Sequence, residues 1–398
     1  MLFNRFYWGF GIEDTFIADP YKPTGKVLDE YELTDHYRLW QQDFDRISPI
    51  GLDAVRWGIP WYRIQPEKNV WDWSFSDEVI PYIVEEKGLE LVLDLMHYGV
   101  PRWMEKAFID PDYPDYVAEY TQRVIDRYGK YLRFATPFNE PHTACEFCGH
   151  MGVWPPYLSG YEGYFSVLKG VVKGTQRQTR LLQQAGIACV QVECSGGSFA
   201  AEPDLQEMAE FECTQQFMFF DCLTGQAERL QSSLPLFARY GLTERDLLSF
   251  RDERCDIDIM GINFYPQFSY KDLKRTKDGG LIHTDHLLWT DALKDKILER
   301  HARYGCPMMI TETSVRDNLE MKKRWLNEAS RTVYALYRTG VPVYGFFWFP
   351  IIDMYDWEYR VQEGPKEQFK ARFGFFDQER RPNECVEIYH SIVNEVKK

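Results

Sequence analysis

The sequence predicts an α/β fold, a single (β/α)8 barrel over residues 1–398, on two observations. Short apolar runs alternate with long, amphipathic, charged stretches, the pattern of repeated strand–helix units around a parallel sheet, and eight such runs are enough to close a barrel. Two acids far apart in the chain, Glu140 and Glu312, each stand where one of those runs ends. Only a closed fold whose strand ends converge on one face brings them together.

Composition narrows what such a barrel serves. With 398 residues, 44% hydrophobic and 16% aromatic, the chain can bury a large core, and no Gly/Ser-rich or Pro-rich linker divides it. A net charge of −15 repels phosphate backbones and anionic lipid surfaces, so the expected partner is a small molecule, with no nucleic acid and no membrane. Twelve Trp and 25 Tyr serve mostly the core, but flat amphipathic rings also stack on the apolar faces of sugars. No leader pattern opens the sequence and no run is long enough to span a bilayer. Nine cysteines, an odd number without a small-domain framework, and the lack of an Asn-x-Ser/Thr site lead us to expect reduced thiols and a cytoplasmic location. Composition leaves the oligomeric state open.

Strands are expected near residues 5–12, 53–59, 89–96, 132–139, 186–193, 256–264, 307–312 and 342–348. Apolar spacings of three and four predict helices over Asp77 to Glu86, Tyr113 to Tyr131, Tyr161 to Gln184, Asp204 to Leu223, Asp291 to Tyr304 and Met321 to Thr339. A final helix runs from about Glu384 to Val396 with Asn383 as its cap.

The strand ends carry the chemistry. After the first run, Glu13 and Asp14 are candidates for binding hydroxyl groups, since a carboxylate accepts several strong hydrogen bonds; an N-cap or a surface turn is the alternative. Arg56 lies inside an apolar strand, where burial is costly unless it faces an acid, so it is expected to point into the barrel mouth; Arg63 reads as a structural ion-pair partner. His97 ends the third strand, on the face where barrel sites are built, and reads as a ligand-binding residue. Pro141 biases Glu140 away from the helical region, toward an extended backbone. Beyond it, Cys145, Cys148 and His150 admit a zinc reading, but no second ligand pair lies at comparable spacing, so no metal is assigned. Tyr265, at the sixth strand end, could donate its phenolic proton to an acid across the mouth. The loop from Ile351 to Trp357, after the eighth strand, mixes acids and aromatics as a sugar subsite does.

Taken together, Thr136-Pro137-Phe138-Asn139-Glu140-Pro141, Ile310-Thr311-Glu312-Thr313, Gly261-Ile262-Asn263-Phe264-Tyr265, the loop from Asp353 to Trp357, and Arg372-Phe373-Gly374 resemble glycoside hydrolase family 1, the β-glucosidase family. The likeness runs from Trp8-Gly9 to Phe376. It implies a (β/α)8 barrel that is a retaining β-glycosidase acting on a small glycoside or short oligosaccharide without any cofactor. Glu140 would be general acid/base, Asn139 the partner of the sugar 2-hydroxyl, and Glu312 the nucleophile, with Arg56 and Tyr265 keeping Glu312 ionised. His97, Trp348 and Trp357 would line the innermost sugar subsite. Retention calls for two carboxyl groups roughly 5 to 5.5 Å apart, and a negative Glu312 would raise the pKa of Glu140.

Three departures from the family pattern bear on the sugar. Gly11-Ile12-Glu13-Asp14 replaces the usual Gln-Ile-Glu-Gly, so the Gln contact is lost unless Glu13 or Asp14 takes it over. Asp356 stands where the family carries a longer Glu gripping the outer hydroxyls, and its charge disfavours a phosphorylated sugar. The segment from Trp348 to Asp353 is slightly longer than usual, and the chain is shorter than typical members, implying trimmed site loops. Competing readings are a transglycosylase on the same residues, a non-catalytic sugar-binding barrel, and a metal-dependent hydrolase on the cysteine loop.

Overall fold

A computed structural model describes residues 2–397, apart from the side chains of residues 227, 231, 232 and 236. Eight parallel strands close into a barrel: β1 (Tyr7–Gly11), β2 (Ala54–Gly58), β3 (Glu90–Asp94), β4 (Phe134–Thr136), β5 (Ala188–Cys194), β6 (Ile259–Asn263), β7 (Met308–Glu312) and β8 (Val343–Trp348). Each pairs with its neighbours in sequence order, and β8 returns to β1 through pairs such as Gly9 with Phe347. A helix follows each strand: α1 (His36–Ile47), α2 (Ser74–Pro81), α3 (Tyr113–Tyr128), α4 (Gly160–Gln184), α5 (Gln206–Leu223), α6 (Thr290–Tyr304), α7 (Leu319–Arg338) and α8 (Cys385–Lys397). The expected barrel is therefore the observed one.

Two cores hold it. The floor of the barrel is filled by Phe3, Tyr7, Ala54, Val92, Phe134, Val190, Ile259, Met309 and Phe347. One pleat further along the same strands, the inward positions turn polar: Ala54 gives way to Arg56, Val92 to Asp94, and Met309 to Thr311. That change of character places a polar chamber at the C-terminal strand ends. Gly9 is needed below it, because a Cβ there would lie 2.4 Å from the Phe347 ring. Outside the barrel, helix stripes such as Trp325, Leu326, Ala329 and Val333 of α7 pack on the sheet. Asn318 caps α7 by accepting the Met321 N–H at 3.0 Å, and Asn383 accepts the Cys385 N–H at 3.0 Å as α8 begins. The Tyr389 hydroxyl of α8 lies 2.9 Å from the Gly9 carbonyl and 3.0 Å from that of Phe346, joining the β1–β8 seam.

Some elements differ from expectation. β4 is only three residues long because Pro137 has no N–H for the ladder; the chain re-engages at Asn139, whose N–H donates to the Met96 carbonyl at 2.8 Å. α2 widens into a π turn over Tyr82–Glu86 just after Pro81, whose ring and missing donor disturb the regular ladder. α1 has no counterpart among the expected helices, since its buried face includes His36 and Asp43, joined at 2.7 Å, and this polar pair breaks the apolar periodicity. A three-stranded sheet of Gly197–Ala200, Tyr270–Arg275 and Leu281–Asp285, largely polar and exposed, is likewise absent from the apolar pattern.

Candidate active site

Glu312 is the last residue of β7 and is buried. Arg56, from β2, donates Nη1 to Glu312 Oε1, and Tyr265 donates its hydroxyl to Oε2 at 2.7 Å. Arg56 is itself held by Asp94 and by Asn139 Oδ1 at 2.7 Å, so the guanidinium points into the mouth as expected. Burial nevertheless pushes the Glu312 pKa up to about 7, with the Glu140 charge adding to the rise and Arg56 and Tyr265 opposing it. The expected hold on the ionised form exists, but desolvation of the pocket outweighs it.

Glu140 sits just past β4 with different company. Its Oε1 accepts from Asn263 Nδ2 at 2.8 Å, and its Oε2 accepts from Thr143 Oγ1 at 2.9 Å and from the Tyr98 hydroxyl. All three donors are neutral. The backbone here is not extended, as Pro141 alone would favour, but left-handed at φ 41°. The Glu140 N–H donates to the Val192 carbonyl of β5 at 3.2 Å while Pro141 opens the helical turn Pro141–Ala144, and those two demands override the local preference.

Asn139 links the two acids. Its Oδ1 accepts from Arg56 and, at 3.3 Å, from Asn263, while its Nδ2 faces the Tyr98 hydroxyl at 2.9 Å and His97 Nε2 at 3.0 Å. An unbroken chain of hydrogen bonds thus runs from Glu312 through Arg56, Asn139 and Asn263 to Glu140. His97 Nδ1 lies 2.8 Å from Asp14 Oδ1 and 3.1 Å from Asp94 Oδ2. Arg56 claims the Asn139 oxygen, so the Asn139 amide nitrogen is turned to His97, and although burial opposes it, Asp14 and Asp94 hold the His97 imidazole pKa well above its usual value. Glu13 accepts from the Thr15 N–H at 3.2 Å, and burial raises the pKa of both Glu13 and Asp14.

Aromatic walls complete the chamber. Trp357 packs on Tyr98, Phe147 and Trp154 with centroids 5.5, 5.7 and 5.4 Å away, and its buried indole N–H meets no acceptor among the described residues. Trp348 departs from its expected part: it is fully buried against Phe375, and its N–H is spent on the Phe373 carbonyl at 3.1 Å, so it backs the site. Asp356 also departs, since its carboxylate is paired with Arg316 and accepts the Glu358 N–H at 2.8 Å.

Asp14, Asp94 and His97 are close enough together to hold a metal ion. They do not fit one, because Arg56 already lays a fixed cation on Asp94 and His97 Nδ1 is itself bonded to both acids. Cys145 and Cys148 are buried, burial pushes both thiols up, and with His150 they form no ligand set among the described residues. Tyr98, Asn263, Asp94 and Thr143 are not among the residues expected from sequence. Asp94 and Asn263 had a visible signal, a polar side chain inside an apolar strand; Tyr98 and Thr143 had none.

The profile described as Glycosyl hydrolase family 1 matches residues 8–397. The chain belongs to this family. Among curated family 1 relatives, a protein of Oryza sativa named beta-glucosidase-like SFR2, chloroplastic, is 24% identical over 83% of this chain and 52% of its own length. The galactolipid galactosyltransferase SFR2 of Arabidopsis thaliana is 23% identical over 96% of this chain, which spans 62% of that protein. The chain thus covers between half and two thirds of these two relatives. Beta-glucosidase A of Thermotoga maritima is 22% identical over 85% of this chain and 81% of its own. The solved β-glucosidase of Thermotoga maritima in complex with noeuromycin superposes with a TM-score of 0.82 at 18% identity, covering 98% of this chain and 97% of that one, a likeness of fold.

Proposed function

We propose that this family 1 chain is a retaining β-glycosidase that cleaves a small β-linked glycoside through a covalent glycosyl-enzyme intermediate, residues 1–398 acting as one catalytic barrel. The supporting observation is an asymmetry of partners among the described residues: Glu312 accepts from a cation, Arg56, while the donors to Glu140 are neutral. A carboxylate beside a guanidinium is stabilised as an anion, the form that attacks the anomeric carbon. Glu140 gives its proton to the departing glycosidic oxygen. Once the sugar is esterified to Glu312, Glu140, left as a carboxylate by the first step, accepts a proton from the attacking water. Asn139 would turn an amide group to the 2-hydroxyl, and Glu13, Asp14, His97 and Trp357 would hold the remaining hydroxyls and the ring. The chemistry is complete without a cofactor.

The test is a panel of nitrophenyl β-glycosides (glucose, galactose, fucose, mannose, xylose) with the wild type, Glu312→Gly and Glu140→Ala. We expect both variants to fold and to lose at least about 10³-fold in turnover, comparable to loss of other groups that act on the reacting atoms. Azide should restore turnover of good leaving groups by Glu140→Ala, and near-normal hydrolysis by folded Glu312→Gly would end the assignment.

A second reading, transfer of the glycosyl group to a hydroxyl acceptor instead of water, is favoured by the name of one relative, a galactolipid galactosyltransferase. Product analysis with and without added acceptor separates the two. The nine unpaired cysteines support a reducing compartment such as the cytoplasm, which cell fractionation would test.

A further inference from the structure

Arg300, on α6, is fully buried and lies apart from the glycoside chamber. A guanidinium does not lose its proton in a protein, so its charge has to be met where it lies. Nη2 donates to the Cys194 carbonyl at 2.9 Å, whereas Nε and Nη1 are buried and reach no acceptor among the described residues. The neighbouring acid on α6, Glu299, pairs with Lys296 at 2.8 Å instead. Glu193 is near Arg300, but burial and the Glu140 charge push its pKa up to about 8, and its two oxygens accept from the backbone N–H groups of His142 and Cys194 at 3.0 and 2.9 Å. The rings of Phe217 and Phe220 lie 5.4 and 5.6 Å from the guanidinium carbon, and aromatic faces offset only part of the cost of burying a cation.

The surroundings supply more donors than acceptors. Ser195, next to the carbonyl that Arg300 grips, is buried with its hydroxyl unpartnered. Lys296, one turn earlier on α6, is a second nearly buried cation, 3.3 Å from Gln216 Oε1. We propose that the end of β5, between α5 and α6, binds a small monovalent anion of the halide class, with Arg300 as its counter-charge and Ser195 as a further donor. One unmatched guanidinium balances a single negative charge, and the full burial of Arg300 selects a compact ion over an organic acid.

The experiment is thermal unfolding of the full chain at constant ionic strength, with sodium gluconate replaced stepwise by chloride or bromide. We expect a saturable rise in Tm with halide, a halide midpoint weakened about tenfold in Ser195→Ala, as befits one lost hydrogen bond to an ion, and no halide dependence in Arg300→Met. Crystals grown in bromide should give an anomalous peak beside the Arg300 guanidinium. A Tm indifferent to halide, an unchanged midpoint in Ser195→Ala, or ordered water alone at that position would overturn the proposal. Ser195→Ala keeps the test decisive even if Arg300→Met does not fold.

Discussion

Asn263 donates its side-chain N–H to Glu140 Oε1 at 2.8 Å, and Thr311 donates to the far end of the same amide at 2.7 Å. The amide is therefore oriented by β7 while it positions the acid of β4. Because it touches the carboxyl proposed to protonate the leaving group, Asn263→Ala should matter most where protonation is hardest. We expect kcat/KM to fall roughly 100-fold for alkyl glycosides and much less for a dinitrophenyl glycoside, within the range attributed to a placed acid. Equal losses across a series of leaving groups would reduce Asn263 to a packing residue.

The pH profile should report Glu312. With its pKa near 7, kcat/KM is expected to fall below neutral pH as the proposed nucleophile becomes protonated. Tyr265 stabilises the charged form, so Tyr265→Phe should move that acid limb to higher pH. The Glu140 charge destabilises it, so Glu140→Gln should move the limb to lower pH, read from the first turnover of a dinitrophenyl glycoside. Limbs that stay put in both variants would mean another group controls the profile.

Glu193, fully buried behind Glu140, has a pKa pushed up to about 8 by burial and by the Glu140 charge. The folded state then binds a proton that the unfolded chain releases near its ordinary value of 4.5, so this group's contribution to stability declines as pH rises from about 4.5 to 8. Glu193→Gln removes that dependence. Its Tm relative to wild type should be higher at pH 8 than at pH 5, and a constant difference between the two would contradict the linkage.

Arg316 holds the Asp356 carboxylate at the outer edge of the site. Arg316→Ala should free that carboxylate for an outer sugar hydroxyl. The ratio of kcat/KM for a substrate that has a 6-hydroxyl over its fucose-type counterpart is expected to rise about 10-fold, the value of one well-placed hydrogen bond. An unaltered ratio would show that Asp356 does not face the sugar.

The strands are legible because a strand covered on both faces reads as an unbroken apolar run, and the two acids are legible because they interrupt such runs. What escapes the sequence is set by contacts between distant elements. His36 and Asp43 are buried only because Arg380, far along the chain, closes on Asp43 at 2.7 Å. Tyr98 reaches Glu140 from a left-handed backbone position, φ 73°, that no local pattern announces. Arg316 captures Asp356 across two loops, so a carboxylate read from the sequence as a sugar contact is found with its charge already engaged. The rise in the Glu312 pKa also belongs to the assembled chamber, since desolvation is a property of the packing around the group.

The left-handed turn at Glu140 narrows what can replace it. An L side chain in that region costs roughly 1–2 kcal/mol relative to the common backbone regions, a cost glycine avoids and asparagine tolerates best. Most exchanges at this position would therefore forfeit the proposed reaction while keeping the steric burden, and only a few would relieve that burden. A lineage of this barrel that drifted from catalysis toward mere sugar capture would find its easiest exits there at glycine and asparagine, and such an inert descendant should outlast its active parent on heating.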